Sequence, residues 1–360
     1  MPFPALHVRG VLLPDEHERD VWIVDDRLTF EAVSGAETVA RSGWVLPGLV
    51  DAHCHIGLWP SGPVPDVPTA KALAVIDRNA GVLAIRDAGS PLPYAELDDD
   101  PDVPRLFRAG RHLAPPKRYL PHVAAECTDE ELPAAAAEQA RAGNGWVKLV
   151  GDWIDRDTGD LGQTYHAGAL AAAVTAAHAV GARVTAHTFS EAALPDLLAA
   201  GLDCVEHGTG LSLRLIDAMA AAGTALVPTM TNIENFEDIA ARAEAKFPAY
   251  AAHMRRLKAG FPDVVRAAYE AGVPIYVGSD AGGGVGHGLA AAEIVRLHAA
   301  GMRPTDALGA GSWAARDWLG LPGLVEGAPA DLVVYAADPR ADLTTLLQPA
   351  RIVLRGRVVR

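Results

Sequence analysis

Several things are scarce in this chain, and each scarcity excludes something. There are three cysteines in 360 residues, at positions 54, 127 and 204, scattered and odd in number. A disulfide framework is not suggested, and a reducing cytoplasm fits. No apolar run is long enough to span a bilayer, and Met1-Pro2-Phe3-Pro4 lacks the charged and apolar regions of a signal peptide. Positive charge is short: 31 Lys and Arg against 45 Asp and Glu leave a net charge of -14. That argues against nucleic acid or an anionic membrane surface as a partner. What is plentiful is apolar sequence. Half of the residues are hydrophobic and 21% are charged, so a large core is expected and wholesale disorder is not.

The two ends of the chain share a strand-like texture. Leu6-His7-Val8-Arg9 and Asp20-Val21-Trp22-Ile23-Val24 read as short strands, as do Ala330–Tyr335 and the two arms around Gly356. The middle alternates instead. Apolar runs at 81–87, 104–110, 145–150, 182–187, 203–207, 225–229 and 273–280 are separated by Ala-rich helical stretches such as 167–180 and 191–200. With the run that enters His53, this makes eight strand-and-helix units. Such alternation implies parallel strands with crossover helices, and eight units predict an α/β fold of the (β/α)8 TIM-barrel type. The expected organisation is a barrel over 46–321 and a small composite β-sandwich domain from 1–45 and 322–360. An open doubly wound sheet is the alternative, but no Gly-x-Gly-x-x-Gly follows the first strand.

The chemistry gathers at the ends of these runs. Trp44-Val45-Leu46 leads into Pro47-Gly48-Leu49-Val50-Asp51-Ala52-His53-Cys54-His55. In an extended chain residues two apart face the same way, so His53 and His55 would aim together and could chelate one divalent ion. In a parallel barrel the C-terminal strand ends carry the site. Lys148 belongs to the fourth strand, His187 and His207 end the fifth and sixth, and Asp280 ends the eighth. Each has an ordinary explanation alone: a core histidine, an N-cap, a buried ion-pair partner. Six such residues on one face point to a metal site. For substrate contacts, Arg118, Tyr119 and His122 follow the third strand and His287 follows the eighth, with Trp59 and Trp153 as candidate walls. A solvated turn or ordinary packing is the competing reading for each of these.

Taken together, the 47–55 segment, Thr185-Ala186-His187, Val205-Glu206-His207-Gly208, Val227-Pro228-Thr229, Gly278-Ser279-Asp280-Ala281 and the tail Gly327–Val334 resemble the amidohydrolase superfamily. The branch they resemble holds imidazolonepropionase-like proteins and metal-dependent Xaa-Pro and acyl-amino-acid dipeptidases. The 112–122 loop departs from the Gly-Gly-His-like pattern of many relatives. The resemblance implies a hydrolase that cleaves a C–N amide bond of a small substrate, of dipeptide or N-acyl amino acid type. It implies two divalent metal ions, zinc by preference, with one Zn2+ or Fe2+ as the alternative. His53, His55 and Asp280 would hold one ion, and His187 and His207 the other, bridged by a CO2-derived carbamate on Lys148. Asp280 would move the proton, with His207 taking the catalytic role in the one-metal case. The competing functions are opening of a cyclic amide, deamination of a ring, and a non-catalytic metal-holding scaffold. A small-molecule amide is the expected partner, and homo-oligomerisation stays open.

Overall fold

The computed structural model describes residues 4–360. The first strands, Leu6–Leu12, His17–Val24, Arg27–Thr29, Glu37–Ala40 and Trp44–Pro47, join Leu332–Tyr335, Arg351–Leu354 and Arg357–Val358 in one sheet. The two ends of the sequence meet where Trp44–Pro47 pairs antiparallel with Leu332–Tyr335, Leu46 opposite Val333. Strand alternation sends Leu6, Val8, Val21, Ile23, Val45, Leu332, Val334 and Val353 to one face, where they form their own apolar cluster. This is one continuous eight-stranded sheet. The two separate facing sheets expected of a sandwich are not what the hydrogen bonds draw.

The middle of the chain forms parallel strands in two sheets. Leu49–Cys54, Val82–Asp87 and Arg105–Arg108 make the first; the second includes Leu113–Ala114, Trp146–Val150, Arg183–Thr188, Cys204–His207 and Ala225–Val227. All six residues of Leu49–Cys54 are buried, as befits a parallel strand covered on both faces. The third run is broken: the chain leaves Arg105–Arg108, bends at Gly110 (φ +69°) and resumes at Leu113, which pairs with Leu149. The eighth run, 273–280, is held by isolated bonds instead of a regular ladder. Ala52 N donates to Val277 O at 2.7 Å and Asp280 N to His53 O at 2.7 Å, while Leu226 N donates to Pro274 O at 2.8 Å on the other side. These bonds join the two parallel sheets.

Helices run between the strands where Ala-rich sequence offers an apolar face. Val67–Asn79 begins at Asp66, whose carboxylate accepts from Thr69 N at 2.9 Å, with a proline in its first turn. Ala167–His178 and Leu194–Ala199 fall where the sequence placed them. The Asp152–Asp155/Asp160–Gln163 hairpin and the long Pro248–Glu270 helix were not anticipated. Among the described residues no helix is long and apolar enough to cross a membrane.

One buried carboxylate ties the terminal sheet to the parallel strands. Asp331, 1% exposed, takes Arg105 Nε at 2.5 Å and the Arg355 amide at 2.9 Å, with buried Arg316 at 3.9 Å. Removing it leaves Arg316 buried without its counter-charge. Asp331→Ala is therefore expected to lose about 3–5 kcal/mol of stability, the usual cost of breaking a buried pair from one side. Urea unfolding followed by circular dichroism measures it; a loss below about 1 kcal/mol, the scale of surface pairs, would show that this junction carries little.

Candidate metal centre

The centre is assembled from strand ends. His53 lies in the Leu49–Cys54 strand and His55 just past it, and the pairing to Val82–Asp87 slips in register between Asp51 and Cys54. Their Nε2 atoms are 3.1 Å apart. Asp280 Oδ1 lies 3.1 Å from His53 Nε2 and 3.2 Å from His55 Nε2. Asp51 underneath holds these groups in register. Its buried carboxylate accepts from His53 N (3.1 Å), Ser279 N (3.0 Å) and Ser279 Oγ (2.5 Å). Two glycines permit the approach. A Cβ on Gly278 would lie 2.9 Å from His53 N, and one on Gly282 (φ +103°) 2.5 Å from His55 O.

The second half comes from the fifth and sixth strands. His187 Nδ1 and His207 Nε2 are 2.9 Å apart. His207 Nδ1 meets Thr229 Oγ1 at 2.7 Å. His207, Thr229 and Asp280 all have left-handed φ, at 65°, 50° and 57°. Non-glycine residues held there cost roughly 1–3 kcal/mol each, and such strain concentrates at functional sites. Lys148, buried in Trp146–Val150, rests its Nζ against the carboxylate of Glu206. Arg86 reaches the same carboxylate at 3.0 Å, and His53 Nδ1 lies 3.5 Å from it.

The donor set fits divalent cations. Ligands sharing one zinc at about 2.0–2.1 Å in tetrahedral array lie roughly 3.3 Å apart, close to the separations of the His53, His55 and Asp280 atoms. Burial holds His53 and His207 well below the ordinary histidine range and takes His187 down to about 3, so all three are neutral imidazoles. Burial alone would raise the Asp280 carboxyl, but His53, His55 and His207 around it hold it well below the carboxylate range. Burial lowers Lys148 to about 7. His187 Nε2 is buried with no hydrogen-bond partner, and Asp152 Oδ1 lies 3.7 Å from it.

All six expected ligand residues line one pocket of about 530 Å3. Tyr119 and Trp153 line it too, their rings 4.8 Å apart, and Tyr119 lies tilted 5.0 Å from His112, which stacks on His55. The other substrate expectations need correction. Arg118 spends its guanidinium on Asp155 (3.1 Å) and on the carbonyls of Trp153, Gly162 and Gln163, holding the hairpin. His287 turns away from the pocket, drawn to the buried Asp77 carboxylate of the Val67–Asn79 helix at 2.7 Å. His122 and Trp59 line an adjoining groove.

Sequence reasoning missed Asn232, whose Nδ2 donates to Asp280 Oδ2 at 2.7 Å, and Phe189, whose ring lies 4.3 Å from that of His187. It also passed over Asp51, Glu206 and Thr229. These three stood inside the quoted motifs, and their proximity to the ligands was the only available signal.

Residues 120–359 match the Amidohydrolase family. An uncharacterized protein of Mycobacterium bovis is 56% identical over 353 residues, which cover 98% of this chain and 95% of that protein. The structure of a putative prolidase from Bifidobacterium longum superposes with a TM-score of 0.85 at 26% identity, covering 100% of this chain and 95% of that one. A Xaa-Pro dipeptidase with bound methionine in its active site gives 0.82 at 21% identity, covering 99% and 100%.

The Thr229 hydroxyl is placed to accept the His207 Nδ1 proton and so leave Nε2 free for a cation. Thr229→Val should weaken zinc binding by about 10–100-fold, read by competition with a coloured chelator, while Thr229→Ser keeps it. Equal affinities for the wild type and Thr229→Val would show that the hydroxyl does not set the tautomer.

Proposed function

Because the chain belongs to the amidohydrolase family, in its dipeptidase-like branch of hydrolases acting on carbon–nitrogen bonds, we propose that it cleaves the amide bond of a small dipeptide or N-acyl amino acid type substrate. The observation that carries this is the convergence of His53, His55, Lys148, His187, His207 and Asp280 on one pocket. We take the two parallel sheets as the halves of one (β/α)8 barrel over 46–321, with 1–45 and 322–360 as the companion β domain. A small-molecule amide is the partner in this reading, with no part for nucleic acid or membrane. A cytoplasmic location belongs to the proposal as well, and homo-oligomerisation stays open.

His53, His55 and Asp280 would hold one divalent cation, zinc by preference, and His187 and His207 a second. Such cations polarise a carbonyl and make water acidic near neutral pH. The protein's own contribution is proton handling and exclusion of water. Asp280 is ionised, so it can take the proton that the attacking water loses and return it to the leaving nitrogen. Asn232 holds Oδ2 while Oδ1 faces the histidines, which sets the orientation of the carboxylate. Trp153, Phe189 and Tyr119 wall the pocket with rings.

The role of Lys148 divides the two metal readings. Burial brings its amine to about 7, so the fraction that is neutral at pH 7 could react with CO2 to give a carbamate. Its contact with Glu206 supports the single-cation reading, because there the lysine serves as that carboxylate's counter-charge.

Elemental analysis after zinc and bicarbonate treatment should give two equivalents per chain, with a carbamate carbon visible by 13C NMR. One equivalent and no such signal would establish the single-cation reading. Chelator should abolish cleavage of a dipeptide and N-acyl amino acid panel, and zinc should restore it. Activity confined to imidazolone-like or hydantoin-like rings would instead select the cyclic-amide reading. Asp280→Asn should keep its metal yet lose about 10²–10⁴-fold in kcat. Near-normal turnover in that variant would move the base role to His207.

A further inference from the structure

We propose that the pocket is built for amides with an apolar body and one carboxylate at the end remote from the histidines, and that Arg242 and Lys246 receive this carboxylate. The inference rests on the amidohydrolase reading of the same site and adds the substrate's charge and polarity.

The inner end of the pocket holds the histidines and Asp280. Its walls are then apolar: Trp153, Leu161, Phe189, Ile239 and Tyr250. At the exposed rim stand Arg242, on the Phe236–Ala243 helix, and Lys246 just beyond it. The helix starts at Phe236, packed ring to ring on Phe189 at 4.7 Å, and Phe189 touches His187 and His207. One helix thus leads from beside the centre to the rim, and six residues of it advance about 9 Å.

The charge balance at this rim is unusual for so acidic a protein. Three of the carboxylates near the two cations are committed elsewhere. Glu234 pairs with Arg296 at 2.7 Å, and Glu237 and Glu244 both pair with Arg255, at 2.8 and 2.9 Å. Asp238, one turn before Arg242, borders the adjoining groove together with Arg242 and makes no ion pair with it. Asp280, the acidic residue inside the pocket, is engaged by His53, His55 and Asn232. Among the described residues, Arg242 and Lys246 have no ion-pair partner; Lys246 Nζ sits 5.0 Å over the Phe247 ring. Arg118, the cation expected for this task, is spent on its hairpin. A guanidinium with free donors beside an apolar slot suits bidentate capture of a carboxylate, and the neighbouring ammonium adds a second charge. In a chain of net charge -14, two unmatched cations at the pocket mouth also attract anions selectively toward it.

The test uses the zinc-loaded full chain and phenylacetyl amides of glycine and longer ω-amino acids, each matched to a neutral n-alkylamide of equal length. At least one acid should exceed its neutral mate in kcat/KM by about tenfold or more, the scale of a charge-assisted contact. That preference should shrink with added salt and vanish in an Arg242→Gln/Lys246→Gln double variant. Neutral mates cleaved as well as the acids, or a double variant that keeps the preference, would overturn the proposal. If no amide is cleaved, the hydrolase reading fails, and the anion site is judged by binding alone. 6-Phenylhexanoate should then quench tryptophan fluorescence at lower concentration than 6-phenylhexanol in the wild type and equally in the double variant. Equal binding of acid and alcohol by the wild type would sink the inference.

Discussion

The Asp51 carboxylate is the contact on which the centre depends. It sits in full burial, where a carboxyl is pushed up to about 7, and it accepts three donors from two strands that are distant in sequence. Through it the backbone of His53 and that of Ser279 are tied to one point. Three Lewis-basic atoms, two imidazole nitrogens and a carboxylate oxygen, are then held about 3 Å apart. Nothing in that cluster is gained by such crowding unless a cation or a proton lies between. The backbone is arranged to impose it.

The same logic runs through the rest of the site. His207, Thr229 and Asp280 adopt left-handed backbone where three strands end, so each side chain turns inward instead of following its strand. Glycine takes the positions where even a methyl group would collide, at 278 beside His53 and at 282 beside His55. Local cost is accepted at several adjacent points, and the surrounding apolar core offsets it.

Charge is handled in layers. Closest to the pocket burial keeps His53, His187 and His207 neutral, and Asp280 is the anion. Beneath them Glu206 is shared by Lys148 and Arg86. At the mouth the cations are left open while neighbouring acids pair with Arg255 and Arg296. A buried network compensated internally, under a rim that is not, separates the groups that build the site from those free to meet a ligand.

Period-2 geometry was enough to pair His53 with His55, and the position of each apolar run was enough to put Lys148 within the fourth strand and His187, His207 and Asp280 at strand ends. These are local properties, set by backbone periodicity and by which residues can be buried. The parallel strands of the middle and the pairing of the two chain ends were legible for the same reason. What lay beyond the sequence depends on side chains choosing among partners. Arg118 and His287 stand in loops that border the site, yet Asp155 and Asp77 capture them, because a buried or half-buried carboxylate outcompetes an open pocket. Asn232 and Arg242 acquire their roles only because the chain after the seventh strand folds back over the histidines. Whether the terminal strands make one sheet or two was likewise decided by hydrogen-bond partners across the whole chain, which no local pattern encodes.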